Sequence, residues 1–411
     1  MIEGYPTLDD IDYSGKRILM RIDINAPIFE GEILDTARFK SHIPTIRELE
    51  DSALVLIAHQ SRPGKTDFTD LSNHAEVLSK LLERDVKYVD ELFSECAIRA
   101  ISTMKKGDVT ILENVRFYSE EDLKKTPEEH SRSHIVSKLY RHFDMYVNDA
   151  FSASHRSHAS LVGFPVVLPS VVGRLVEKEV SALSKALKSD GRKVFVLGGA
   201  KINDSVKVMK NVLEKGIADR VFLTGVVANY FLMLNGVQMG EWCRRVVEDN
   251  MEGVDDRETR KLYEKYSEKI FLPVDFGIEV EGERIDVGIE ELGEIENPVI
   301  KDIGRETVKL YYGDIGESDV AVINGPAGVF EEEEFSYGTF EILRAVSSAG
   351  FSVVGGGHIS SAARILGLDE RFDHISTGGG ASIRFLSGEK LPALEVIKKY
   401  WSERWSHFQI S

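Results

Sequence analysis

Residues 17–27 read Arg17-Ile18-Leu19-Met20-Arg21-Ile22-Asp23-Ile24-Asn25-Ala26-Pro27. Side chains alternate across a strand, so Ile18, Met20, Ile22 and Ile24 share one face while Arg21, Asp23 and Asn25 share the other. A strand over 17–25 that turns polar on one face at its carboxyl end, and then meets a proline, lines a cleft rather than filling a core. The same kind of apolar run recurs at 53–59, 109–112, 145–148, 193–197, 220–224, 270–274, 319–323, 351–354 and 374–376. Helical spacing appears between several of them: Val208, Met209, Val212 and Leu213 within 204–215, and Phe340, Leu343 and Val346 within 337–348. Alternating β and α units predict an α/β fold built from parallel sheets.

One amphipathic helix is predicted over 174–188, with Leu175, Val180, Leu183 and Leu187 on its apolar side. It separates two βα series of similar size. The expected architecture is therefore two doubly wound, Rossmann-like parallel-sheet domains joined by a long helix, with a cleft between them. The boundaries are 1–172 for the first domain, 173–189 for the connector and 190–390 for the second. The stretch 250–266, rich in Glu, Asp, Arg and Lys, reads as a solvated helix.

Composition limits the function classes. The chain has 411 residues, 42% of them hydrophobic and 29% charged, with a net charge of −17. An acidic surface argues against nucleic-acid and anionic-membrane partners. Cys96 and Cys243 are the two cysteines and have no metal or disulfide spacing. No apolar run reaches the ~18 residues of a membrane span. The N-terminus lacks a signal-peptide core, and the expected compartment is the cytoplasm.

In open α/β sheets ligands bind outside the carboxyl ends of the strands. In the first half these ends are basic. His59-Gln60-Ser61-Arg62 follows one run, Glu113-Asn114-Val115-Arg116 another, and Asp149 through His158, with Arg156, a third. Arg38 comes from the first connection. A lone arginine reads as a surface ion pair. Arginines at successive strand ends read as an anion pocket, because the guanidinium fork matches phosphate and carboxylate. His155 and His158 fit either a local hydrogen bond or a ligand contact.

In the second half the strand ends are glycine-rich: Gly198-Gly199-Ala200-Lys201, Thr224-Gly225, Asn324-Gly325-Pro326-Ala327-Gly328, Gly355-Gly356-Gly357-His358 and Thr377-Gly378-Gly379-Gly380. Glycine lets backbone N–H groups approach a phosphate, and Lys201 adds a point charge. The P-loop, dinucleotide and protein-kinase signatures are all missing. An arginine pocket in one half and a glycine pocket in the other suit transfer of a phosphoryl group between a small anion and a nucleotide, with domain closure to exclude water.

Ordered motifs through nearly the whole chain resemble those of the phosphoglycerate kinase family. They are Arg21-Ile22-Asp23-Ile24-Asn25-Ala26-Pro27, His59-Gln60-Ser61-Arg62-Pro63, Leu112-Glu113-Asn114-Val115-Arg116-Phe117 and Val147-Asn148-Asp149-Ala150-Phe151 leading to His155-Arg156. Gly198-Gly199-Ala200-Lys201, Leu272-Pro273-Val274-Asp275, Asp302-Ile303-Gly304, 324–331 and 376–382 follow in order. The resemblance implies that Asp23, Asn25, Arg38, His59, Arg62, Arg116 and Arg156 bind 3-phosphoglycerate or 1,3-bisphosphoglycerate. It implies a nucleotide pocket for ATP or ADP with Mg²⁺ from Gly198, Gly199, Lys201, Gly225, Asn324, Glu331, Gly355, Gly356, Gly357, His358 and Thr377, with Glu331 on the ribose. Arg38, Lys201, Gly378 and Gly379 are implied to act on the migrating phosphoryl group. By resemblance, 391–411 returns to the first domain. The protein is expected as a monomer or homodimer.

Three positions depart from the family pattern in ways typical of archaeal members. His358 replaces an aspartate, Ser205 a lysine and Arg305 a proline. An imidazole is a poorer Mg²⁺ ligand than a carboxylate, so the metal ligands are left open. Lys207 is a candidate substitute for the missing lysine, with a solvent-facing role as its alternative. Two other functions fit parts of the pattern: a non-catalytic nucleotide-binding paralogue, and an NAD(P)-dependent dehydrogenase on a doubly wound fold.

Overall fold

The apolar runs become strands because a parallel sheet is covered on both faces and needs near-continuous hydrophobic segments. The computed structural model describes residues 1–408. The chain divides into two compact units, Met1–Ser181 with Lys390–Ser411, and Ala182–Glu389. Of the segment 391–411, residues 409–411 lie outside the described residues. The helix Arg174–Lys188 crosses the division.

The first unit holds β1 (Arg17–Arg21), the short hairpin β2 (Ile28–Phe29) and β3 (Glu32–Ile33), then β4 (Ala53–Ile57), β5 (Val86–Val89), β6 (Val109–Leu112), β7 (Met145–Asn148) and β8 (Ser170–Val172). Six of these make a sheet in the order β5-β6-β4-β1-β7-β8, every pairing parallel. Ile18, Met20, Leu54, Leu56, Val109, Ile111 and Val147 pack into one core, while Leu19, Val55, Ile57, Leu112 and Tyr146 pack into another. From β1 the chain first builds one side of the sheet and later returns to build the other, placing a topological switch between β1 and β7.

The strand expected over 17–25 ends at Arg21. The Ile22 N–H still donates to the Ile57 carbonyl (3.1 Å). Beyond it side chains replace the ladder. The Asp23 N–H meets His42 Nε2 (3.1 Å), the Asn25 N–H donates to Asp23 Oδ1 (3.1 Å), and the Ala26 N–H donates to Gln60 Oε1 (3.1 Å). The segment from Lys390 packs within this unit. The Ala393 N–H donates to the Ser154 carbonyl (3.2 Å) and the Tyr5 hydroxyl to Glu395 (2.9 Å), while Trp401 is buried in the first core.

The second unit holds β9 (Lys193–Leu197), β10 (Arg220–Leu223), β11 (Ile270–Phe271), β12 (Asp275–Val280), β13 (Glu283–Gly288), β14 (Val299–Ile303), β15 (Val320–Asn324), β16 (Ser352–Gly355) and β17 (His374–Ile375). The parallel sheet runs β11-β10-β9-β15-β16-β17. That is the doubly wound order 3-2-1-4-5-6, with its switch between β9 and β15. An antiparallel sheet, β13-β12-β14, is inserted before β15. The solvated helix expected over 250–266 begins only at Asp256, where the Asp255 carboxylate accepts from the N–H groups of Arg257 (3.0 Å) and Glu258 (3.1 Å). Gly253 in the left-handed region (φ +77°) breaks the segment before it. Among the described residues no helix is long and apolar enough to cross a membrane.

Candidate functional site

In the first unit the predicted residues gather at the carboxyl ends of β1, β4, β6 and β7. Asp23 is buried and accepts from Arg38 Nη1 (2.6 Å), the Ser152 hydroxyl and the Asn25 N–H. Burial opposes its charge, but the Arg38 guanidinium beside it, with the Ser152 hydroxyl and Arg21, outweighs burial and holds the carboxyl well below the usual range. Arg38 reaches it from the first turn of the helix Ala37–Glu48. Asn25 Oδ1 accepts the Ser61 N–H (2.7 Å), and the Ser61 carbonyl accepts from Arg116. Ser61 has φ +53°, a strained conformation for a residue with a Cβ, and both of its neighbours' contacts hold it there.

The arginines crowd one another. Burial and the Arg156 and Arg21 charges push Arg116 down to about 10. Arg156 is likewise lowered, by burial and by the Arg21 and Arg38 charges despite Asp23. Both stay cationic near neutrality. Like charges held together in a partly desolvated place await an anion, because only an opposite charge offsets their repulsion. Arg62 is exposed, and its guanidinium makes no hydrogen bond or ion pair within the described residues. His59 is buried, with Nδ1 2.8 Å from Arg21 Nη2. His158 lies 3.7 Å from Glu121, and His155 Nε2 accepts from Arg156 Nε (3.2 Å). Both histidines thus have local partners.

Supporting contacts lie beneath. Gln60 is fully buried. Its amide donates to the Ala26 carbonyl (2.8 Å), and its oxygen accepts from the Ala26 N–H (3.1 Å) and His74 Nε2 (3.0 Å). Asn114 Nδ2 donates to the carbonyls of Gln60 and Thr69 (2.9 Å each). These bonds tie the loops after β1, β4 and β6 together. Asp149 Oδ2 accepts His42 Nδ1–H (2.7 Å), which leaves the His42 Nε2 lone pair for the Asp23 N–H. The other Asp149 oxygen accepts the Leu175 N–H (2.9 Å). Sequence reasoning gave neither residue a role. His42 is one helical turn from Arg38, a spacing that could have flagged it.

In the second unit a cavity of about 550 Å³ opens at the ends of β9, β10, β15 and β16. Gly198, Gly199, Lys201, Gly225, Asn324, Glu331, Gly356, Gly357, His358 and Gly379 line it; Gly355, Thr377 and Gly378 do not. Three glycines are required by the protein itself. A Cβ on Gly225 (φ +58°) would lie 2.8 Å from the Gly199 nitrogen, one on Gly325 (φ +85°) 2.3 Å from the Gly198 oxygen, and one on Gly198 2.5 Å from the Pro326 oxygen. The switch-point loops touch backbone to backbone there. Gly357 differs: a Cβ would meet nothing within 4 Å, and its φ is not positive. Its bareness serves the cavity and not the fold. Lys201, at the N-cap of the helix Ile202–Glu214, is exposed and makes no ion pair within the described residues. Apolar walls come from Phe276, Ile300, Ile303, Val329 and Ile359. Backbone donors at one end and apolar walls at the other suit a nucleotide's phosphates and base.

The departures from the family pattern have separate surroundings. Lys207 is exposed and pairs with Glu389 (3.6 Å), so it takes the solvent-facing role and lines no part of the cavity. Ser205 is buried in its helix. Arg305 pairs with Asp286 (3.0 Å) and stacks on Tyr337 (4.5 Å). Asp275 caps the helix Arg305–Gly316, accepting the N–H groups of Glu306 (2.9 Å) and Thr307 (2.7 Å). His358 is exposed at the start of the helix Gly357–Ile365. Among the described residues no three His, Cys, Asp or Glu side chains form a metal site. Mg²⁺ keeps most of its ligands as phosphate oxygens and water, so the cavity would hold it together with a nucleotide's phosphates.

The family model for phosphoglycerate kinase matches residues 8–389. A phosphoglycerate kinase of Archaeoglobus fulgidus is 64% identical over 406 residues, covering 98% of this chain and 99% of that one. One from Methanothermus fervidus is 47% identical over 399 residues, covering 96% and 97%. The crystal structure of phosphoglycerate kinase from Pyrococcus horikoshii OT3 superposes with a TM-score of 0.88 at 38% identity, covering 97% of this chain and 99% of that one.

Proposed function

The chain belongs to the phosphoglycerate kinase family, and from that premise we propose that it moves a phosphoryl group reversibly between 1,3-bisphosphoglycerate and ADP, giving 3-phosphoglycerate and ATP. The observation that carries this reading to particular residues is the crowding of Arg21, Arg38, Arg116 and Arg156 around one half-buried place in an otherwise acidic protein. A small dianion relieves that crowding; a neutral sugar does not.

The proposed roles follow from the chemistry of each group. Arg62, Arg116 and Arg156 hold the non-transferring phosphate. Asp23, kept ionised by Arg38, accepts from the substrate hydroxyl, and Asn25 and His59 complete the pocket. The glycine-lined cavity takes the nucleotide, with Glu331 toward the ribose. Arg38 and Lys201, with the backbone at Gly379, compensate charge on the migrating group; the expected Gly378 donor is taken, its N–H donating to Ser376 Oγ (3.1 Å) away from the cavity. Bound Mg²⁺ supplies further charge compensation on the nucleotide phosphates. The attacking oxygen of a carboxylate or nucleotide phosphate is already ionised, so no general base or covalent enzyme intermediate is needed, and alignment with charge compensation suffices.

The test is turnover of 3-phosphoglycerate with MgATP in the presence of hydroxylamine, which traps an acyl phosphate as its hydroxamate. Hydroxamate that depends on both substrates is expected. Folded protein that makes none, or that releases inorganic phosphate instead, would overturn the reading.

A further inference from the structure

Arg21 is a fully buried charge that the roles above leave without a ligand contact of its own. Its hydrogen bonds all have a fixed direction, because a guanidinium only donates. Nε donates to Ser160 Oγ (2.9 Å), so Ser160 directs its single hydrogen to Glu121 Oε1 (2.6 Å). Nη1 donates to the Ile22 carbonyl. Nη2 donates to His59 Nδ1 (2.8 Å). Nδ1 must therefore carry a lone pair. Burial, with the Arg21, Arg116 and Arg156 charges, holds His59 well below its usual protonation range despite Asp23, so the ring is neutral near neutral pH. A neutral ring whose Nδ1 accepts has its one proton on Nε2. Nε2 makes no hydrogen bond within the described residues, and His59 keeps 4% exposure.

We propose that Arg21 is a positioning residue that locks His59 in the Nε2–H form, so that the ring offers a donor and never a lone pair to an anionic substrate oxygen. The proposal rests on the phosphoglycerate site described above. Carboxylate and phosphate oxygens only accept. The opposite tautomer would set a lone pair against them and lose the bond. Glu121, reached through Ser160, offsets the buried guanidinium charge without occupying the nitrogen that holds His59.

Long-range ¹H–¹⁵N NMR on the ligand-free wild-type protein reads the tautomer directly. A protonated Nε2 and an unprotonated Nδ1 for His59 near neutral pH are expected; Nδ1–H or an imidazolium would overturn the proposal. Arg21→Met should mix the tautomers. It should also raise KM for 3-phosphoglycerate roughly ten- to hundredfold, the scale of one hydrogen bond to a charged group, with KM for ATP unchanged. Arg21→Lys, which restores charge without the planar fork, should leave most of that defect. In a His59→Ala background Arg21→Met should add little; two losses that multiply in full would show that Arg21 acts independently of His59. If Arg21→Met does not fold, the wild-type tautomer still decides. Failure of the kinase reading would appear separately, as absent hydroxamate from a wild-type protein whose tautomer is as expected.

Discussion

Gly357→Ala separates a glycine kept for a ligand from one kept for the fold. Gly357 opens the helix Gly357–Ile365, has an ordinary φ, lines the cavity, and offers open space where a Cβ would go. Alanine there restricts the unfolded chain and clashes with nothing. The empty protein should gain about 0.4–1 kcal/mol, or roughly 1–4 °C in Tm for a unit of this size. A nucleotide lying against the bare Cα meets the new methyl as overpacking, which costs about 1–3 kcal/mol, hence roughly 5- to 150-fold in Kd. Calorimetry of the empty protein and titration with MgADP read the two effects separately. Gly225→Ala is the control. Its φ of +58° and a Cβ 2.8 Å from the Gly199 nitrogen predict a lower Tm before any ligand is added. Unchanged MgADP affinity in Gly357→Ala, or a Tm drop like that of Gly225→Ala, would refute the assignment of Gly357 to ligand contact.

Arg38→Ala should lower kcat by roughly 10²–10³, the scale of losing one charge contact in a transition state, and steady-state kinetics with near-native kcat would remove it from the reacting centre. The same variant leaves Asp23 buried without its main partner. The wild-type carboxyl is depressed, so its contribution to stability is present above the ordinary carboxylate range and lost as pH falls below it; in Arg38→Ala acid unfolding should begin at higher pH, as read by circular dichroism. Arg116→Ala should raise KM for 3-phosphoglycerate with kcat largely kept, and it should shrink the stabilisation given by bound 3-phosphoglycerate, about 2.7 kcal/mol for wild type at a hundred times Kd, as read from the shift in Tm. His74 is lowered by burial from its ordinary 6.5 to about 4. The unfolded chain therefore takes up this proton first, and stability falls by about 1.4 kcal/mol per pH unit between those values. His74→Gln should flatten that slope by one proton, as measured by urea unfolding at several pH values.

The sheets were legible because their strands are continuous apolar runs. Ile18-Leu19-Met20 and Val194-Phe195-Val196 announce themselves, being buried on both faces. The missed strands lack that signature. β5 reads Val-Lys-Tyr-Val at a sheet edge, β8 has three residues, and β12 to β14 carry Glu, Asp and Arg along an antiparallel sheet, where Arg284 is held inward by Asp286 (2.8 Å) and Asp302 (2.7 Å). Alternation continues through Asn25 although β1 ends at Arg21, because side chains of His42 and Gln60 take over the backbone bonds. No pattern in a single strand reveals partners supplied by another element. In the site, arginines and glycines at strand ends were visible as types in places. Which glycines the fold needs, and how Arg21 orients His59, depend on distances between separate loops.

Amide hydrogen exchange with each substrate alone separates the two pockets. 3-Phosphoglycerate should slow exchange in the loops after β4, β6 and β7, around Ser61, Arg116 and Arg156, and leave Gly199, Gly225 and Gly357 unchanged. MgADP should do the reverse. Protection of the glycine loops by 3-phosphoglycerate, with the arginine loops unaffected, would contradict the assignment of the two substrates to these two sets of residues.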